Sequence, residues 1–284
     1  MNASDFVTRF APSPTGLAHR GHAFSALTAM AAARAEGGRF LLRIEDIDTA
    51  RCRRDYETAF LEDLAWLGLT WQTPVRRQSE HLADYHAALE RLRARGLLYR
   101  CFKTRRDAAD DIARAPHGPA VSLSGGALSP PAERAMIAAG RPFAWRLSVD
   151  AARRALGGLG DLSFVELGAG PGGERGVIGV DPDAAGDIIV ARKDLGVSYH
   201  LAVVVDDALQ GISHVVRGED LFAAAHVQRL LQALLDLPAP AYRHHALLLR
   251  PDGQRFAKRD TTETLRDLRE RGVSAAALRA ELGF

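Results

Sequence analysis

Between an apolar run at Phe6–Phe10 and a long alanine-rich stretch, the chain reads Ala11-Pro12-Ser13-Pro14-Thr15-Gly16. Two prolines and a glycine so close together exclude regular structure there, so the apolar run before them is a short strand that ends in a forced turn. Residues 21–36 are mostly Ala, Leu, Met and Phe, and Gly37-Gly38 supplies a stop, which predicts a helix after the turn. Arg39–Ile44, with Phe40, Leu41, Leu42 and Ile44, then reads as a second, buried strand. Strand, Gly/Pro turn, helix and strand within about forty residues is the βαβ pattern of a parallel, nucleotide-binding sheet, and the fold class expected is α/β.

Helical periods follow at Asp55–Leu67 and Glu80–Arg95. From Thr104 to Gly196 the composition shifts to Gly, Pro, Ala and Arg without a clear period, which predicts an inserted, irregular α+β subdomain. Apolar runs at Leu201–Val205 and His214–Arg217 read as strands, followed by a helix over Asp220–Leu235 and a strand near His245–Leu249. Two short helices fit the tail from Thr261, with Asp260, Thr261 or Thr262 as a cap. The expected division is a first half-sheet over 1–103, the insertion over 104–196, a second half-sheet over 197–250 and a basic loop with helical tail over 251–284.

At 284 residues and 47% apolar the chain can bury a large core, and no apolar stretch approaches the roughly 20 residues of a membrane span. The start lacks a signal-peptide pattern, so a cytoplasmic protein with reduced Cys52 and Cys101 is expected. The net charge of +2 conceals a basic run through Arg91, Arg93, Arg95, Arg100, Lys103, Arg105 and Arg106, which is either a solvated face or a track for a phosphate backbone.

Four strings carry chemistry. The turn runs into His19-Arg20-Gly21-His22 at a helix start, where free backbone N–H groups favour anions, Gly21 permits close approach of a ring or phosphate, and the two imidazoles share one face. Alone, His-x-x-His fits a surface feature or a metal fragment, but the neighbourhood lacks a third zinc ligand. At the end of the second strand, Arg43-Ile44-Glu45-Asp46-Ile47-Asp48 places acids where ligands of open sheets bind. Glu45 could hold an ammonium group there, and the bland alternatives are an acidic loop or a Mg²⁺ cluster. Arginines at strand ends, Arg9 and Arg217, suit bidentate grip on a carboxylate. Arg255-Phe256-Ala257-Lys258-Arg259 is a basic loop after the turn Pro251-Asp252-Gly253.

Together these strings resemble class I aminoacyl-tRNA synthetases. His19-Arg20-Gly21-His22 resembles the HIGH signature, and Arg9-Phe10-Ala11-Pro12-Ser13-Pro14-Thr15-Gly16 resembles its glutamyl branch. Arg43 to Asp48 is similar to that branch's Arg-Ile-Glu-Asp-x-Asp motif, and 255–259 to its KMSKS loop, with Arg255 and Ala257 replacing the usual lysine and serine and Lys258 kept. The resemblance implies a Rossmann-type catalytic domain that binds ATP through Pro12, His19, Gly21, His22 and Lys258. It implies a glutamate pocket of Arg9, Ser13, Glu45, Tyr199 and Arg217, with His19, His22 and Lys258 in catalysis and Mg²⁺ on the phosphates. Lys258 would offset charge growing on the α-phosphate and pyrophosphate, while the ionised α-carboxylate of glutamate is itself the nucleophile and needs no general base.

The chain ends at Phe284, soon after the KMSKS-like loop, which resembles the short glutamyl-Q tRNA(Asp) synthetase family rather than a synthetase with an anticodon-binding domain. That family implies tRNA-free activation of L-glutamate and its transfer to the queuosine base of tRNA(Asp), by a monomer. The family often carries zinc in the insertion. Here only Cys101 stands at the expected place, with His117 a lone histidine, so no metal is expected. The alternatives are a truncated glutamyl-tRNA synthetase charging a tRNA 3′ end, a silent RNA- or amino-acid-binding paralogue, and another HIGH-type nucleotidyltransferase. The last leaves the Arg9-to-Gly16 string and Glu45 unexplained.

Overall fold

A computed structural model describes residues 5–103, 126–181, 186–192, 196–248 and 263–284. The first half runs β1 (Val7–Phe10), α1 (Arg20–Ala35), β2 (Arg39–Ile44), α2 (Arg54–Trp66), β3 (Gln72–Arg77), α3 (Leu82–Ala94) and β4 (Leu98–Cys101), which keeps the predicted order of β1, α1, β2, α2 and α3 and adds the strands β3 and β4 that the sequence did not announce. β1 pairs in parallel with β2, and β2 with β3. The middle of the chain contributes α4 (Pro130–Ala138), β5 (Ala144–Leu147), α5 (Val149–Ala155), β6 (Ser163–Glu166), β7 (Gly176–Gly179), β8 (Ile188–Arg192) and β9 (Gly196–Val197). The remainder is α6 (Tyr199–Leu209), β10 (His214–Gly218), α7 (Phe222–Leu234), β11 (Ala241–His245), α8 (Leu265–Glu270) and α9 (Ala275–Glu281).

β10 pairs in parallel with β11, and β11 with β6, while β7 closes that edge antiparallel to β6. The two half-sheets meet at Ser213, whose backbone N–H donates to Val7 O at 3.0 Å and whose Oγ accepts from Val7 N at 2.8 Å. The layer order is therefore β3-β2-β1, then β10-β11-β6-β7, a doubly wound arrangement that reverses direction between β1 and β10. Ligands of such sheets bind at this reversal, outside the strand carboxyl ends. One face is covered by α1, α2 and the tail helices through Leu27, Met30, Phe60, Leu64, Leu268 and Leu278. The other is covered by α3, α6 and α7 through Leu92, Leu201, Val204, Leu231 and Leu234.

Four local readings change. Leu201–Val205 is not a strand but the middle of α6, capped where Ser198 Oγ accepts from Leu201 N. A helix buried all round reads in sequence as the same unbroken apolar run as a buried strand, so period alone misassigns it. The last parallel strand lies at Ala241–His245, immediately after Pro240, rather than at 245–249. The stretch read as one insertion serves two sheets: β4, β5, β8 and β9 form a separate antiparallel sheet, whereas β6 and β7 extend the catalytic one. The cap of α8 is Thr264, in a reciprocal pair with Asp267, and the candidates 260–262 lie outside the described residues. Among the described residues no helix is long and apolar enough to cross a membrane.

Candidate active site

The turn after β1 is held by backbone bonds from Glu45 N to Pro12 O at 2.9 Å and from Arg53 N to Pro14 O at 3.1 Å. Ser13, on the same turn, accepts from Thr15 N. These bonds press the Pro-Ser-Pro segment against the acidic string at the end of β2.

His19 caps α1. Its Nδ1 accepts from Gly21 N at 3.1 Å, and its own N–H donates to His22 Nδ1 at 3.2 Å, with the two rings 3.9 Å apart. Both Nδ1 atoms accept, so each neutral imidazole carries its proton on Nε2. A Cβ on Gly21 would stand 3.1 Å from His19 Cε1, so glycine leaves room for the folded-back His19 ring. The start of α8 docks here too: Leu265 N donates to Ala18 O at 2.8 Å, and Glu263 pairs with Arg20 at 2.7 Å. The chain following the KMSKS-like segment thus returns to the HIGH-like helix start. Arg255, Phe256, Ala257, Lys258 and Arg259 themselves lie outside the described residues.

Beside this turn lies a buried charge cluster. Arg9, 4% exposed, donates from Nε to Asp207 Oδ1 at 2.9 Å and from Nη2 to Oδ2 at 3.2 Å. Arg43, wholly buried, bridges Asp207 at 2.7 Å, Gln210 at 2.9 Å and Glu45 Oε1 at 3.1 Å. Asp206 is held by Arg76, Gln78 and the Tyr85 hydroxyl. Burial raises the Glu45 carboxyl, with Arg43 and Arg9 opposing the rise, and Glu45 Oε2 makes no hydrogen bond among the described residues. Burial also raises the Tyr199 phenol, then the Glu45 charge, against Arg217 and Arg9, so these four predicted pocket residues act on one another.

Arg217, 5% exposed, differs from Arg9 and Arg43: no carboxylate pairs with it among the described residues. It donates from Nε to His244 Nε2 at 3.0 Å, from Nη1 to Gln228 Oε1 at 2.8 Å and from Nη2 to Leu221 O at 3.0 Å. Its guanidinium lies over the Tyr242 ring, 5.2 Å from the centroid. Of its five N–H donors, one on each Nη makes no hydrogen bond among the described residues.

Residues 5–113 and 173–283 match the family described as tRNA synthetases class I (E and Q), catalytic domain. A glutamyl-Q tRNA(Asp) synthetase of Rhodobacter capsulatus is 47% identical over 98% of this chain and all of its own length. Another with that name, from Symbiobacterium thermophilum, is 41% identical over 97% of this chain and 85% of its own. The chain belongs to the glutamyl-Q tRNA(Asp) synthetase family. It is accordingly a ligase of the class I synthetases. A crystal structure of glutamate-tRNA synthetase from Elizabethkingia anophelis superposes with a TM-score of 0.71 at 25% identity, over 94% of this chain and 54% of that one.

The carboxylates of the acidic string are turned to separate partners. Asp46 is turned to Ser79, accepting from its N–H at 2.9 Å and its hydroxyl at 2.6 Å, Asp48 is turned to Arg51, and Glu45 to Arg43. Among the described residues no three His, Cys, Asp or Glu side chains form a ligating group, and Cys101 is a free thiol on β4. His117 lies outside them. Sequence reasoning gave no role to Arg43, Asp207, Gln228, Glu166 or His244. The available signals were Arg43, at the head of the acidic string, and Asp206-Asp207, two adjacent acids ending an apolar run.

Proposed function

We propose that this chain joins L-glutamate to ATP without tRNA, forming glutamyl adenylate, and passes the glutamyl group to the queuosine base of tRNA(Asp). The observation that carries the glutamate assignment is Arg217, a buried guanidinium lacking a carboxylate partner among the described residues, whose charge acts with that of Glu45 on the Tyr199 phenol. A side-chain carboxylate on Arg217 and an ammonium on Glu45 Oε2 match glutamate at both ends. Arg9 serves differently from Arg217. Asp207 already neutralises it and takes two of its five donors, so it contributes directed N–H groups rather than net charge.

With glutamate held this way, its α-carboxylate is free to attack the α-phosphorus of ATP and expel pyrophosphate. The Nε2–H groups of His19 and His22, the α1 start and Lys258 supply positive potential to the phosphates, with Ser13 and Tyr199 lining the amino-acid side. The residues present fit Mg²⁺ carried on the nucleotide rather than in an acidic cage, and bound Mg²⁺ would supply further charge neutralisation. In the second step a cyclopentenediol hydroxyl attacks the glutamyl carbonyl, AMP leaves and an ester forms. The chain acts as a monomer in this reading.

Glutamate-dependent ATP–pyrophosphate exchange by two variants tests the assignment. Lys258→Ala should slow exchange with little change in glutamate KM, and Arg217→Ala should mainly raise that KM. Wild-type behaviour in both would remove these residues from the site.

A further inference from the structure

Arg217 is held from behind by a chain of buried groups that reaches β6, on the far side of β11. Its strand partner in register is His244, and Arg217 Nε donates to His244 Nε2. For Nε2 to accept, the neutral ring must carry its proton on Nδ1. That proton is directed at Glu166 Oε2, which lies 2.5 Å from Nδ1. Glu166 Oε1 accepts two backbone N–H groups, from His244 at 2.9 Å and Gly168 at 2.8 Å. The His244 and Glu166 side chains are both 0% exposed. A Cβ at Gly168 would overlap the His244 carbonyl oxygen, so only glycine lets the turn after β6 close against β11 and bring Glu166 into place.

The Nε–H of Arg217 and the Nδ1–H of His244 each meet an acceptor, and the polarity runs one way, from Arg217 to His244 to Glu166. We infer that Glu166 and His244 are positioning residues that fix the Arg217 guanidinium, through a neutral histidine, in the orientation that receives the glutamate side-chain carboxylate. The inference rests on the glutamate reading of Arg217. A carboxylate bound directly to Arg217 would balance its buried charge but occupy the N–H groups a substrate carboxylate needs. An intervening histidine keeps the countercharge at one remove and engages only the Nε edge. Gln228 and Leu221 hold the two Nη groups, and the Tyr242 ring, parallel to His244 within 3°, lies against the guanidinium. Burial, the largest influence, together with the nearby Arg217 charge outweighs the raising effect of Glu166 and holds the His244 pKa down to about 4, so the ring stays neutral and able to accept at neutral pH.

The test compares the full-length wild type with His244→Leu, His244→Gln and Glu166→Gln in glutamate-dependent ATP–pyrophosphate exchange, recording KM for glutamate, KM for ATP and kcat. Thermal melts confirm that each variant is folded at the assay temperature. Leucine removes the acceptor, whereas a glutamine amide oxygen can restore one near the Nε2 position. The expected result is a rise in glutamate KM of about tenfold or more for His244→Leu, with ATP KM and kcat within about threefold of wild type. His244→Gln should recover most of the loss, and Glu166→Gln should fall between. A folded His244→Leu variant with wild-type glutamate KM overturns the inference, as does an equal rise in both KM values. Nitrogen-15 imidazole spectra give a readout independent of activity. His244 should be protonated on Nδ1, and an Nε2–H tautomer refutes the relay even if exchange is robust. A wild-type protein with the Nδ1–H tautomer and no glutamate-dependent exchange refutes the glutamate reading, and the substrate role assigned to the relay with it.

Discussion

Asp207→Ala is the substitution for which the structure dictates the largest cost. Asp207 accepts from Arg9 at 2.9 and 3.2 Å and from Arg43 at 2.7 Å, and these guanidiniums are 4% and 0% exposed. Alanine would leave two buried cations facing Glu45, with Asp206 3.6 Å from Arg43 but already satisfied by Arg76, Gln78 and Tyr85. Removing one partner of a buried pair typically costs about 3–5 kcal/mol, because the remaining charge is not rehydrated. In a domain of this size each kcal/mol lowers Tm by about 2–4 °C, so a fall of about 6–20 °C is expected. Differential scanning calorimetry measures it directly, and the double substitution Arg9→Met with Asp207→Leu should lose less than the sum of its single changes. A shift below about 2 °C for Asp207→Ala would mean that water reaches both arginines, and the buried cluster would not be a stabilising element.

Three further outcomes follow from the same geometry. Arg217→Lys keeps a charge but loses the planar fork and leaves His244 Nε2 and Gln228 Oε1 without their donor, so glutamate KM should rise by roughly tenfold to a hundredfold in the exchange assay. Gly168→Ala forces a Cβ onto the His244 carbonyl oxygen, and urea denaturation should register a loss of about 1–3 kcal/mol; unchanged stability would show that the β6 turn can shift freely. Burial holds His244 neutral with a pKa of about 4, below its unfolded value of about 6.5, so the unfolded chain takes up the proton first as pH falls. The contribution is complete above about pH 6.5 and is lost towards pH 4. Between pH 7 and 5 this one group should cost about 2 kcal/mol, an increment that His244→Gln should lack in urea titrations at the two pH values.

The first βαβ unit was legible because its boundaries are set by local chemistry: Pro12, Pro14 and Gly16 stop a strand whatever surrounds them, and Gly37-Gly38 stops α1. The bounds of β2 agree with those read from its apolar residues. α6 was not legible, because burial on every side erases the helical period that distinguishes it from a strand. The support of the site was hidden for a different reason. Arg43 meets Asp207 across 164 positions and His244 meets Glu166 across 78, so neither pairing leaves a local pattern. Glu166 also lies in a glycine-rich stretch that looks irregular until β6 is seen hydrogen-bonded to β11. The motifs mark the candidate site, whereas the orientation of Arg217 depends on tertiary contacts that sequence spacing does not encode.

Glutamate activation without tRNA is the property on which the proposed activity of this protein depends. Purified protein, ATP, Mg²⁺, pyrophosphate and glutamate should sustain ATP–pyrophosphate exchange with no tRNA present, and radiolabelled glutamate should then transfer to queuosine-containing tRNA(Asp) but not to tRNA(Asp) lacking queuosine. Exchange that requires tRNA(Glu), with the label at its 3′ end, would contradict the account in favour of a charging synthetase, and absence of exchange under all these conditions would leave a binding protein without the activity.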